Sequence, residues 1–257
     1  MLEFSNAYLF HALPPLFLLV FFFLRDRFKE PFRYVLASFM LGVAISYPLD
    51  YLIIIVDYFS SKFLLSEIIV YNLFDSFFRA AYLEEGLKFI IIYFFCTKLP
   101  EFNEKYDALI YSASVGLGYA GMENIGYLYI EGAKFSERIY PLFLHLGLAL
   151  IMGIFLMKSI FNKFNKKLCI FLSLLLPILI HGFHNFIIST GTNLTLLLWI
   201  ILIALNFLFI IFMIFYSRSI QTKKIIEDEI KYEISDAEAI KSYFYFFFII
   251  SVIILFG

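Results

Sequence analysis

The sequence predicts an all-α polytopic transmembrane bundle, and three observations carry that prediction: an apolar composition, repeated apolar runs of spanning length, and a one-sided distribution of lysine and arginine. Hydrophobic residues make up 62% of the 257 residues and charged residues 16%, with a mean hydropathy of +0.88. Soluble domains sit near ~45–50% apolar, so a soluble globule is excluded. The net charge of -1 provides no basic field, and no nucleic-acid partner is expected. The lipid bilayer is the first partner.

Spanning helices need roughly 20 apolar residues. Eight segments are expected, near 8–24, 34–56, 68–97, 107–129, 139–157, 168–189, 195–217 and 243–257. The first lacks a basic flank before it and a small-residue cleavage site before Arg25-Asp26-Arg27, so it reads as a retained span and not a signal peptide. The third is long, and its start reads as an interfacial helix that carries Arg79 toward the headgroups, with Asp75 an i,i+4 partner for it. The last is short, and reads either as a tilted span or as an interfacial anchor. Cys96 and Cys169 lie in apolar runs without metal or redox spacing and read as packing residues.

Orientation follows from the loops, because cytoplasmic connections retain Lys and Arg. Arg25, Arg27, Lys29 and Arg33 follow the first span, Lys98 and Lys105 the third, Lys158, Lys163, Lys166 and Lys167 the fifth, and Arg218, Lys223, Lys224, Lys231 and Lys241 the seventh. The opposite loops carry only Lys62, Lys134 and Arg138. Both termini are therefore expected outside, in a multi-pass protein of the cell membrane. Residues 1–257 read as a single membrane domain with a core at about 65–190, and the mixed charges of 218–242 read as a cytoplasmic connector.

Against this apolar background a few polar residues stand out. An ionisable side chain in the hydrocarbon layer costs at least ~2.5–3.5 kcal/mol on insertion scales, which makes each one a functional candidate. The third segment carries Glu84, Glu85 and Lys88, the fourth Glu123 and Asn124, the fifth His145, and the sixth His181 and His184 with Asn185. At ~1.5 Å of rise per residue, Glu84, Glu123, His145 and His181 fall at one level, roughly 20–24 Å from the cytoplasmic surface. Four helices thus deliver ionisable groups to a common depth. The i,i+4 pair Glu84 and Lys88 can share a charge, His181 and Asn185 share a helix face, and Glu85 points about 100° away from Glu84. The small residues Gly116, Gly118, Ala120 and Gly121 permit close approach of the fourth helix, which is expected to draw Glu123 toward the third or sixth.

This set suits hydrolysis in two ways. Two imidazoles and one or two carboxylates make a normal zinc ligand set, with another glutamate as base for water. Alternatively, a buried glutamate activates water without metal, helped by His and Asn donors. No HExxH and no GxSG is present, which excludes the zincin arrangement and a rhomboid-like serine; Ser112 and Ser114 read as packing residues.

The motifs Glu84-Glu85-Gly-Leu-Lys88, Tyr119-Ala-Gly-Met-Glu123-Asn124, His145 and His181-Gly-Phe-His-Asn185, in this order, resemble those of the PrsW family of intramembrane proteases. That family is similar to the CAAX-processing and bacteriocin-processing membrane endopeptidases. Tyr119 stands where the family usually has Phe. The resemblance implies endoproteolysis of membrane-anchored protein substrates, with anti-sigma factors the substrates of the best-known members. It implies that Glu84 and Glu85 hold or activate water, that Glu123, His145 and His181 complete a metal site, zinc in the first instance, and that Asn185 orients it. Lys88, Tyr119 and Asn124 are supporting residues.

Blander roles are assigned to the remaining polar groups. His184 reads as a packing histidine, His11 as interfacial, and Asp50 and Asp57 as solvated helix-end groups. Lys88 either pairs with Glu84 or snorkels. The competing function is a proton- or ion-coupled transporter using the same carboxylates and histidines. It should show repeat symmetry and broken helices, and the sequence shows neither.

Overall fold

The structure, a computed structural model, describes residues 2–63, 68–161 and 165–221. The expected last span, and all but the first few residues of the charged connector, lie outside the described residues. Among those described, all regular secondary structure is helical, with nine α-helices, a π-helix, a short 3-10 helix and no strand.

Helix α1 (Leu2–Arg25) leads through a short loop to α2 (Phe32–Ala44) and α3 (Ser46–Phe63). The break at Ile45 has a local cause. Pro48 lacks the N–H that would reach Ala44, and its ring crowds that carbonyl. Then come α4 (Ile68–Leu73), a π-helical stretch Phe74–Tyr82, and α5 (Leu83–Phe94), which follow one another as one continuous rod. The bundle is completed by α6 (Lys105–Glu131), α7 (Phe135–Phe161), α8 (Lys166–Thr190) and α9 (Asn193–Ile220).

Helix ends follow ordinary capping chemistry. Glu104 and Asp107 form a capping box at the start of α6, as do Thr192 and Thr195 at α9. Asn165 accepts from the Leu168 N–H at α8. Gly132 and Gly191 end α6 and α8 in the left-handed region, at φ 66° and 59°.

Five rods are long and apolar enough to cross a membrane: Tyr8–Arg25, Phe32–Ser60, Phe135–Phe161, Lys166–Thr190 and Asn193–Ile220. The other two, at 68–94 and 105–131, were also expected to span. They are the rods that carry Glu84, Glu85 and Lys88, and Glu123, and those charges lower their hydropathy. Their polar load is internal. Helix α6 is buried almost continuously from Tyr106 to Gly121, with α1, α2 and α7 packed around it.

Glycine makes that position possible. A Cβ on Gly118 would run into the Phe39 carbonyl oxygen, and one on Gly42 into the Val115 carbonyl oxygen, so α2 and α6 touch backbone to backbone. A Cβ on Gly116 would meet Ala149 and the His145 carbonyl of α7. The close approach is therefore to α2 and α7. Glu123 is accordingly drawn to the fifth span, and not to the third or sixth as expected.

At the end of the bundle that holds the α1–α2 loop, Asp26 accepts from the N–H groups of Phe28 and Glu30, fixing the loop. The buried Glu30 accepts from the Tyr111 hydroxyl at 2.6 Å. His11, expected at an interface, is instead buried with its ring edge-on to Phe135 at 5.7 Å. Cys96 and Cys169 are buried and are not joined in a disulfide.

Two predictions arise from this packing. Gly118→Val forces the α2–α6 contact apart and should cost about 1–3 kcal/mol or more, read as a lowered melting temperature of the detergent-purified protein. Burial pushes the Glu30 carboxyl up to about 7 from 4.5, despite the Tyr111 hydrogen bond. Between those values the folded chain keeps a proton that the unfolded chain has lost, so stability present in full at low pH declines as pH rises through this window. The decline is on the order of 3 kcal/mol. Melting curves from pH 4 to 8 should show it, and Glu30→Gln should flatten it.

Candidate functional site

The rod that supplies the paired glutamates is wound irregularly just before them. The π-helical stretch ends at Tyr82, and α5 starts at Leu83. A wider turn rotates everything that follows it, and π-turns concentrate at functional sites. Downstream of this offset Glu84, Glu85 and Lys88 are all buried. Its partner is α8. A Cβ on Gly182 would overlap the Phe77 ring, and Phe77 also meets Phe183 edge-on at 5.2 Å. Helix α8 thus lies against the π-helical stretch at the residue next to His181. Arg79 leaves the opposite way, with Nε and Nη2 donating to Asp57 at 2.6 and 3.0 Å and Nη1 to Asp75 at 3.2 Å. The i,i+4 pair is present, but Asp57, read as a solvated end, is the main partner and ties α3 to this rod.

Lys88 is the centre of the polar cluster. Its Nζ donates to Glu85 Oε1 at 2.8 Å and to His145 Nδ1 at 2.9 Å, and lies 4.0 Å above the Tyr119 ring. Glu84 Oε2 is farther away, at 4.0 Å. The lysine neither snorkels nor pairs chiefly with Glu84. Its stem, wholly buried, leads to the i,i+3 carboxylate. Glu85 Oε1 also lies 2.9 Å from His181 Nδ1, and the rings of His145 and His181 meet edge to face at 5.3 Å. Tyr119 meets the His145 ring edge-on at 5.0 Å.

Among the described residues, Glu84, Glu85, His145 and His181 form a buried group whose ligand-type atoms all fall within 4.8 Å of one another. Glu123, expected among the metal ligands, lies one hydrogen bond outside that group. Its Oε2 is 3.1 Å from His145 Nε2 and accepts from Arg138 Nη2 at 2.6 Å. Asn124 is buried beside it and accepts from Arg138 Nε at 3.0 Å. Sequence reasoning missed Arg138 as part of this network, because its charge counted only toward loop orientation. The signal was available: Arg138 is seven residues before His145 and so shares its helix face.

Asn185 and His184 form a separate pair. Trp199 Nε1 donates to His184 Nε2 at 3.2 Å, which leaves Nδ1–H to donate to Asn185 Oδ1 at 3.0 Å. Asn185 shares a helix face with His181 but bonds its neighbour. His184 is buried and fully partnered, as a packing histidine is.

Comparison with known proteins bears on this arrangement. The family described as PrsW family intramembrane metalloprotease matches residues 30–216. The chain belongs to the PrsW family. Protease PrsW of Oceanobacillus iheyensis is 34% identical over 198 residues, 73% of this chain and 88% of that protein. Protease PrsW of Bacillus subtilis is 35% identical over 184 residues, covering 70% and 81%. Protease PrsW of Clostridioides difficile is 28% identical over 190 residues, covering 70% and 78%. No solved structure matches. The chain is an intramembrane protease of the PrsW family, and the transporter reading is not favoured.

The described metalloprotease character of the family can be tested against the residues present. They fit a cation. The Oε2 atoms of Glu84 and Glu85 are buried without a hydrogen-bond donor, an arrangement costly for carboxylate oxygens unless a positive charge completes it. Three glutamates, Glu84, Glu85 and Glu123, face two basic side chains, Lys88 and Arg138. With neutral imidazoles, negative charge is in excess. Two imidazoles and two carboxylates are an N/O donor set suited to zinc and to other first-row dications.

Gly182→Val should displace α8 from Phe77 and move His181 away from Glu85. Expected is a loss of proteolysis of about 10-fold or more, as misplacement of reacting groups by an ångström costs rate steeply. An activity assay beside a melting curve separates this from unfolding.

Proposed function

We propose that this PrsW-family protein hydrolyses a peptide bond of a membrane-anchored protein with water activated at the Glu84–Glu85–His145–His181 cluster, a zinc ion being held there. The observation that carries the reading is the burial of these four ligand-type residues, from α5, α7 and α8, within 4.8 Å of one another. Glu85, whose Oε1 approaches both histidines, is assigned with His145 and His181 to hold the ion. Zinc in such a place supplies Lewis-acid polarisation of a carbonyl and acidifies water.

Glu84 is assigned as the general base, because its side chain retains 11% exposure where that of Glu85 has none. It is the more accessible of the two to water and a scissile peptide. Its carboxylate takes a proton from the attacking water and delivers it to the amide nitrogen as the C–N bond breaks. Lys88 balances the charge of Glu85 and would yield His145 Nδ1, its hydrogen-bond partner here, to the ion, and Tyr119 packs over both. Glu123 is assigned an outer place, holding His145 with Asn124 behind it, and not that of a ligand. Asn185 acts at the rim through His184.

The topology supported by the loop charges is eight spans in the cell membrane with both termini outside, a single unit over 1–257 with its core at 65–190 and a cytoplasmic connector at 218–242. The site then faces the outer half of the bilayer. Anti-sigma-factor-like membrane proteins are the substrate class to test first.

Glu84→Gln should lower the cleavage rate by about 10²–10⁴-fold at normal expression; full activity in that variant would remove Glu84 from the reaction. Elemental analysis should find about one zinc per chain, lost when His145 and His181 are replaced by alanine. Active wild-type protein without metal would instead leave glutamate-activated water as the mechanism.

A further inference from the structure

We infer that Arg138 is a positioning residue of the proteolytic site: it holds the Glu123 carboxylate against Nε2 of His145 and so keeps the Nδ1 lone pair of that ring directed into the cluster. The inference rests on the proposed site. Arg138 Nη2 and His145 Nε2 converge on one oxygen, Glu123 Oε2, at 2.6 and 3.1 Å. An oxygen that accepts from a guanidinium accepts from the ring as well, which puts the His145 proton on Nε2. The other side of the ring agrees. Lys88 Nζ, a donor without lone pairs, lies 2.9 Å from Nδ1, so Nδ1 must be the accepting atom. His145 is held as a single tautomer between Lys88 and Glu123.

Arg138 is built for this task. Its Nε donates to Asn124 Oδ1 at 3.0 Å, and its guanidinium lies 4.0 Å above the Tyr127 ring. Glu123, Asn124 and Tyr127 of α6 thus fix the fork in position and direction. A lysine would supply the charge but not two donors at this spacing. A clamp between α6 and α7 alone would not require its charged partner to contact a site histidine. Carboxylates that orient a metal-binding histidine typically contribute about 10–100-fold in metal affinity.

The chain has four histidines, so ¹⁵N-histidine spectra of the full-length protein in detergent are assignable with His145→Gln. Wild type should show His145 with the proton on Nε2. Arg138→Gln should give a mixture of tautomers, and Co²⁺, followed by its visible absorption, should bind about 10–100-fold more weakly. Glu123→Gln should do the same, and the double variant no more than either single one. Arg138→Lys, which preserves charge should Arg138→Gln fail to fold, should recover the melting temperature and only part of the Co²⁺ affinity. A lowered melting temperature with unchanged tautomer and unchanged Co²⁺ affinity would make Arg138 a structural clamp and overturn the inference, as would additive effects in the double variant. Wild type that binds no Co²⁺ would defeat the proposed metal site, while the tautomer of His145 would still decide the role of Arg138.

Discussion

A buried ammonium holds the centre of this protein together. Lys88 sits within 2.9 Å of Glu85 and His145 with no exposed surface. Its desolvation costs several kcal/mol, recovered only when charge partners and hydrogen bonds surround it. That condition explains the company it keeps. Glu85 supplies the charge, Tyr119 the negative face of a ring, and His145 a lone pair. Two of these direct a further contact outward, Glu85 to His181 and His145 to Glu123, which in turn meets Arg138.

Such a network needs helices that approach more closely than large side chains allow. Gly42 and Gly118 bring α2 and α6 to backbone contact, Gly116 brings in α7, and Gly182 admits Phe77 beside His181. Without a hydrophobic drive between helices in lipid, close packing and interhelical polar contacts are what associate them. The same glycines that hold the bundle together therefore set the distances of the site. Of the two rods that carry the acids, α6 lies innermost, and the other turns Glu84, Glu85 and Lys88 inward while Ile68, Phe78, Ile90 and Phe94 face outward.

The site has an inner and an outer part. Glu84, Glu85, His145 and His181 form the inner group, and Glu123, Asn124 and Arg138 lie behind His145. Glu84 is distinguished from its neighbour by access: it retains exposure where Glu85 has none. Two adjacent glutamates separated by about 100° on a helix face different surroundings, and their unequal environments are the basis for unequal roles.

The sequence by itself determined the helical class, the first seven rods and the residues worth attention. The reason is physical: apolar runs of fixed length and charges stranded inside them are properties of the chain alone. Membership in the PrsW family was likewise legible in four short motifs. Which charges meet was decided only by tertiary structure. Spacing along α5 favoured Glu84 as the partner of Lys88, but Glu85, placed between Lys88 and His181 of α8, took that place. Glycines in α6 announced close packing, expected with the third or sixth span, and the close neighbours proved to be α2 and α7, so Glu123 met His145 and Arg138. Periodicity fixes the face on which a side chain stands; what stands opposite depends on how separate helices are brought together.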